Sequence, residues 1–157
     1  MKLNRDCKEF LSLLNSSDVR YLVVGGYALG AHGHVRYTKD LDIWLDTTEK
    51  NIAGLIDVLK RFGFDSLNIS ASDFTTPGTM VQLGYEPARI DLLTRVSGLD
   101  FDPAYRRRID TTLDGVPITL ICREDLRRNK MASGRLRDLA DVEALGYPID
   151  TQHPKGN

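Results

Sequence analysis

Apolar residues recur at positions 7, 10, 11 and 14, the spacing of one helix face, so about Asp6 to Asn15 reads as an amphipathic helix packed on a sheet. Asn15-Ser16-Ser17-Asp18 ends that helix and turns the chain. The short apolar run Tyr21 to Val24 predicts a buried strand that stops at Gly25-Gly26, after which Tyr27, Ala28, Leu29 and Ala31 carry a helix of about two turns. The period then falls to two. Arg36, Thr38, Asp40 and Asp42 lie on one face of an extended run, and Leu41, Ile43 and Leu45 point the other way.

Helical spacing returns with Ile52, Leu55, Ile56, Leu59 and Phe62, which predicts a helix capped at Thr47 or Thr48 and ended by Gly63. Residues 66–78 are rich in Ser, Thr, Pro and Gly, so a loop is expected, with a short strand at Leu67 to Ile69 and Asp73 as a turn residue. Thr79 to Tyr85 and Arg89 to Thr94 read as two antiparallel strands broken by Gly84 to Pro87. Asp102 caps a helix reaching Arg108, with Pro103 at its first position; a turn over Thr111 to Gly115 leads into a strand from Val116 to Ile121. Arg123 to Leu145 is expected as one or two helices interrupted near Ser133-Gly134. Together these elements predict an α/β (α+β) fold: a mixed, mostly antiparallel sheet of four to five strands with helices packed on it and the site at one sheet edge.

The chain has 157 residues, which fits one domain, residues 1–147, followed by a frayed tail over 148–157. A formal net charge of -1 gives no global pull toward nucleic acid or membrane, so any polyanion must meet a local patch. Met1 to Asp6 is polar and no apolar run approaches a membrane span, so the expected location is cytoplasmic and no membrane contact is expected. Cys7 and Cys122 lack metal spacing and read as buried free thiols. His32 and His34 are two residues apart without a third ligand and read as surface residues, and Trp44 reads as packing despite sharing a face with Asp42.

The chemistry concentrates between Tyr21 and Asp46. A Gly-Gly pair between strand and helix exposes backbone amides at a helix N-terminus, where phosphate binds well. Asp40 and Asp42, roughly 6 to 7 Å apart on one strand face, repel each other in an empty site, and a shared hard cation relieves this. Magnesium is the first candidate. Asp91, in Ala-Arg-Ile-Asp-Leu-Leu-Thr, supplies a third carboxylate; on an adjacent strand about 4.8 Å away it completes a cluster for two ions. Arg89 shares Asp91's face, where it either reaches the metal or a phosphate or restrains Asp91 as an ion pair.

Gly25-Gly26, thirteen intervening residues, Asp40-Leu41-Asp42-Ile43 and the later Ile90-Asp91-Leu92 resemble the signature of the DNA polymerase β-type nucleotidyltransferase superfamily. Arg36-x-Thr38-x-Asp40-Leu41-Asp42, Lys130 and the run Gly134-Arg135-Leu136-Arg137-Asp138 with Asp141 resemble its small stand-alone AbiEii-like and minimal members. The resemblance implies transfer of a nucleoside monophosphate from a nucleoside triphosphate to a hydroxyl, with two Mg2+ ions held by catalytic Asp40, Asp42 and Asp91. It places Gly25, Gly26, Arg36, Thr38, Lys130 and Arg135 around the triphosphate. Asp138 and Asp141 share a helix face with Arg135 or Arg137 at i,i+3 and i,i+4 spacing, so they are read as orienting those arginines. The resemblance also implies that the acceptor is tRNA or a partner protein within a toxin-antitoxin pair. The expected state of the chain is a monomer or dimer. Many members carry Gly-Ser in the turn; Gly26 offers only its backbone here. The alternative is a catalytically silent module of the same fold that binds a nucleotide or a partner.

Overall fold

The computed structural model describes residues 1–35, 37–64, 68–76 and 78–146. The first helix, α1 (Arg5–Ser16), buries Cys7, Phe10, Leu11 and Leu14, the stripe read from the sequence, and is capped by Asn4, whose side chain accepts the Asp6 amide. β1 (Tyr21–Val24) is buried throughout and passes directly into α2 (Gly25–Ala31). β2 (Asp40–Leu45) and α3 (Glu49–Phe62) follow; α3 starts after Thr48 and ends at Gly63, which takes a left-handed φ of 100°. Then come α4 (Ser72–Thr75), β3 (Met80–Leu83), β4 (Arg89–Leu93), α5 (Phe101–Arg106), β5 (Ile109–Leu113), β6 (Val116–Leu120), α6 (Arg123–Ser133) and α7 (Leu136–Leu145).

The sheet has six strands in the order β3-β4-β2-β1-β6-β5. Pairing is antiparallel at β3/β4, β1/β2 and β5/β6 and parallel at β2/β4 and β1/β6, so the sheet is mixed with an antiparallel majority, as expected. The strand beyond the expected four or five is β5. Its residues Ile109 to Thr112 are exposed along an outer edge, so no apolar alternation marks it, and the expected turn there is confined to Asp114-Gly115. A second difference concerns position: β2 and β4 are interior strands, so the aspartates lie within the sheet and not at its edge.

Three smaller differences have local causes. The helix expected from Asp102 starts two residues earlier, with Asp100 at the cap and Asp102 in its first turn. The segment read as loop contains α4, whose Phe74 is fully buried. Leu67, part of the strand expected there, lies outside the described residues, and Asn68 and Ile69 are not in a strand. Asp73 acts as the expected turn residue, accepting the Ser70 amide at 2.8 Å. The expected tail over 148–157 lies outside the described residues. Among the described residues, no helix is long and apolar enough to cross a membrane.

The core is continuous. Leu41, Ile43 and Leu45 are fully buried on the face of β2 opposite its aspartates, as the alternation requires, and join α1, α3 and the central strands in one cluster. Trp44 is buried too and meets Phe101 edge to face at 5.2 Å, so it packs. The run Arg106 to Arg108 is partly structural: Arg107 grips the fully buried Asp125 carboxylate at 2.9 and 3.1 Å, and Arg108 lies over Tyr105.

Candidate active site

Strand register assembles the site. β1 ends with Val24 beside Asp42, and the parallel pairing of β2 with β4 sets Asp91 directly opposite Asp42 and Arg89 opposite Asp40. The adjacency that the sequence left open is present. It follows from burial: Leu41 and Ile90, and Ile43 and Leu92, pair as apolar neighbours, and a slip of one residue would bury the carboxylates in the core. Asp40, Asp42 and Asp91 each offer an oxygen within 4.8 Å of the others, and among the described residues no second trio of potential metal ligands lies so close.

Gly25 lies against this cluster. It takes φ +68°, and a Cβ there would lie 2.9 Å from Asp42 Cγ, nearer still to its Oδ2. The Asp42 carboxylate therefore rests on the bare α-carbon of the turn. A Cβ on Gly26 would come within 2.7 Å of Thr38 Oγ1, so Thr38 fills the space of a side chain at that position. Thr38 Oγ1 also donates to the Asp40 carbonyl at 3.1 Å, which fixes the entry into β2. Arg36 lies outside the described residues.

Arg89 bridges the two flanking carboxylates. Its Nη2 donates to Asp40 Oδ2 at 2.9 Å and to Asp91 Oδ2 at 3.2 Å, and its Nε donates to Asp91 Oδ1 at 3.0 Å. The ion pair with Asp91 is thus real, and it extends to Asp40. Protonation follows this asymmetry. Burial, then the charges of Asp40 and Asp91, push Asp42 up to about 8. Burial also raises Asp91, to about 6, with Arg89 pulling the other way. For Asp40 the burial effect is outweighed by hydrogen bonds with Asp91 and Arg89, which hold it below the usual carboxylate range.

A raised carboxyl stabilises the folded chain fully only below its unfolded value of about 4, and that contribution is lost as pH climbs through the folded value. Without divalent ions, the melting temperature should fall between about pH 4 and pH 8, the span from the unfolded carboxyl value to the folded values of Asp91 and then Asp42. Saturating Mg2+ should remove most of that fall, because bound cations favour the ionised carboxylates. Thermal melts across this range with EDTA or Mg2+ check it; identical slopes would contradict a cation site at the trio.

The C-terminal cations are engaged elsewhere. Lys130 is buried on α6 and donates to Asp138 at 3.3 Å and Asp141 at 2.8 Å on α7. Arg135 Nε donates to Asp138 Oδ2 at 2.7 Å while its side chain is 78 % exposed. Asp138 therefore orients an arginine as expected, whereas Asp141 meets Lys130, a pairing eleven residues apart that helix spacing does not reveal. Lys130→Met removes the buried cation that Asp138 and Asp141 share and should cost about 3 to 5 kcal/mol of stability in urea unfolding. A loss below about 1 kcal/mol would mean the pair is relaxed by water.

Other expected features are structural. Of the two thiols, Cys7 is buried and Cys122 half-buried, both free. His32 meets the Ile121 carbonyl at 2.8 Å and is half-buried. A cleft of about 420 Å3 opens beside Tyr27, Tyr37, Thr38 and Pro87. A larger hollow of about 1170 Å3 lies past the C-terminal ends of β2 and β4, lined by residues such as Thr48, Thr76, Arg95 and Asp100, and touches none of the three aspartates.

Three carboxylates converging on neighbouring strands beside a glycine turn form an arrangement that could hold metal ions next to a phosphoryl group. The chain belongs to the family described as "Nucleotidyltransferase of unknown function (DUF6036)", whose sequence profile matches residues 1–151. It is a nucleotidyltransferase by family. Two solved structures share its fold. One is a candidate nucleotidyltransferase from Thermotoga maritima, 15 % identical, with a TM-score of 0.62 over 89 % of each chain. The other is the lincosamide antibiotic adenylyltransferase LnuA with lincomycin bound, 16 % identical, with a TM-score of 0.56 over 92 % of this chain and 98 % of that one. A search of curated proteins finds no sequence match.

Proposed function

We propose that this protein moves a nucleoside monophosphate from a nucleoside triphosphate to a hydroxyl acceptor and releases pyrophosphate. The observation that carries the reading is the trio Asp40, Asp42 and Asp91, with ligand oxygens within 4.8 Å of one another on two paired strands. An all-carboxylate donor set of this size suits hard divalent cations such as Mg2+, and the bare Gly25 leaves Asp42 room to face them. Asp40 and Asp42 would hold both ions and Asp91 one; when bound, the ions supply charge neutralisation at the phosphates and a lowered pKa at the acceptor hydroxyl.

The chain's own groups do the rest. Asp91 accepts the acceptor's proton as the new oxygen-to-α-phosphorus bond forms and the bond to the β-phosphate oxygen breaks. The Gly25 and Gly26 amides seat the β- and γ-phosphates, and Thr38 holds the turn against β2. Arg135, with its exposed guanidinium, and Arg36 offset charge on the leaving pyrophosphate. The buried ion pairs of Lys130 favour a different part for it, holding α7 on α6 so that Arg135 is presented.

The location is proposed as cytoplasmic and the state as a monomer or dimer; the acceptor, tRNA or a partner protein within a toxin-antitoxin pair, rests on the AbiEii-like and minimal resemblance alone. The adenylyl transfer named for LnuA supports ATP as the first donor to try. The test is transfer of label from each α-32P nucleoside triphosphate, with Mg2+, to total tRNA and to the products of neighbouring genes. Label on one acceptor, lost with Asp42→Asn, supports the proposal. Turnover to pyrophosphate that survives Asp42→Asn would contradict it.

A further inference from the structure

We infer that Arg89 is the resident counter-cation of the carboxylate trio, holding oxygens that a divalent ion needs and releasing them when that ion binds. The inference rests on the proposed cation site and concerns what controls access to it. Register sets Arg89 beside Asp40 on the aspartate face, so its guanidinium reaches across both strands. It takes one oxygen of Asp40 and both oxygens of Asp91. Asp91 is 3 % exposed and each of its oxygens accepts from Arg89, so a cation that ligates it meets an oxygen already engaged by the guanidinium. Arg89 has somewhere to go: its side chain is 28 % exposed and lies within 3.9 Å of Glu86 at the site's rim.

A fixed guanidinium among three carboxylates offsets one of three negative charges and lowers the attraction for the first divalent ion. The site then stays weakly loaded until a triphosphate brings further negative charge. If Arg89 is only a brace that aims Asp91, its loss disorders a ligand and weakens metal binding. The two roles predict opposite signs.

The experiment titrates Mn2+ into nucleotide-free protein at pH 8, reading free Mn2+ by electron paramagnetic resonance. It compares wild type, Arg89→Gln and Arg89→Lys, with circular dichroism to report folding. Arg89→Gln should bind Mn2+ about tenfold more tightly than wild type. Arg89→Lys, whose single point of charge cannot fork between two carboxylates, should fall between them and decides the matter if the glutamine variant fails to fold. Equal or weaker binding in the folded variants overturns the inference and leaves the cation site standing. No Mn2+ binding by any of the three proteins overturns both.

Discussion

Asp42→Asn should lower nucleotidyl transfer by on the order of 10^3-fold or more, about 4 kcal/mol of transition-state stabilisation, while leaving the chain folded. The amide keeps the volume of the carboxylate but cannot serve as an anionic ligand between two cations. A second signature accompanies the loss. Asp42 is the most strongly raised carboxyl of the trio, pushed up to about 8 by burial and by its two neighbours, so in wild type its ionisation destabilises the metal-free fold as pH rises. Asparagine has no such ionisation. At pH 8.5 in EDTA the variant should therefore melt above wild type, and the gap should close toward pH 4. Loss of transfer together with gain of stability marks a residue placed for chemistry at a structural cost. Loss of both would mean that Asp42 is needed for folding, and retained transfer would remove it from the cation site.

Gly25→Ala should be nearly as damaging, for a reason specific to its place. At φ +68° an alanine carries left-handed strain of about 1 to 2 kcal/mol. Its Cβ would also press on the Asp42 carboxylate, which cannot retreat far between β1 and β4. The expected result is a measurable loss of stability and a loss of Mg2+-dependent triphosphate binding of tenfold or more on the order-of-magnitude scale of misplaced catalytic groups. Gly63→Ala separates the two effects. Gly63 has φ +100° and nothing within 4 Å of its missing side chain, so it carries the strain without the collision. That variant should lose similar stability and bind triphosphate as wild type does. If both variants bind alike, the contact between Gly25 and Asp42 has no bearing on the site.

Much of the candidate site was legible because it is built from short alternating strands. The change from helical to two-residue period at Thr38 to Leu45 put Asp40 and Asp42 on one face, and the same alternation isolated Asp91. The amphipathic helices α1 and α3 were legible for the same reason, since each buries a regular stripe. What escaped was non-local or unpatterned. The parallel pairing of β2 with β4 joins segments almost fifty residues apart, and no local signal encodes it. β5 is an exposed edge strand held by pairing with β6 alone, so its sequence reads as a turn. The bridge from Arg89 to Asp40 depends on that same pairing, whereas its bond to Asp91 was suggested by the shared face. Lys130 was drawn to the triphosphate by resemblance. Its pairs with Asp138 and Asp141 arise because α6 and α7 fold back at Gly134, in left-handed conformation.

The most direct test of the central claim is calorimetric titration of each of the four ribonucleoside triphosphates, with Mg2+ present throughout. The titrated proteins are wild type and the Asp40→Asn/Asp42→Asn double variant. Wild type should bind at least one triphosphate, and the double variant, still folded, should lose that binding. Equal binding by both proteins would show that the nucleotide sits away from the carboxylates, and no binding by wild type would contradict a complete triphosphate site in this chain.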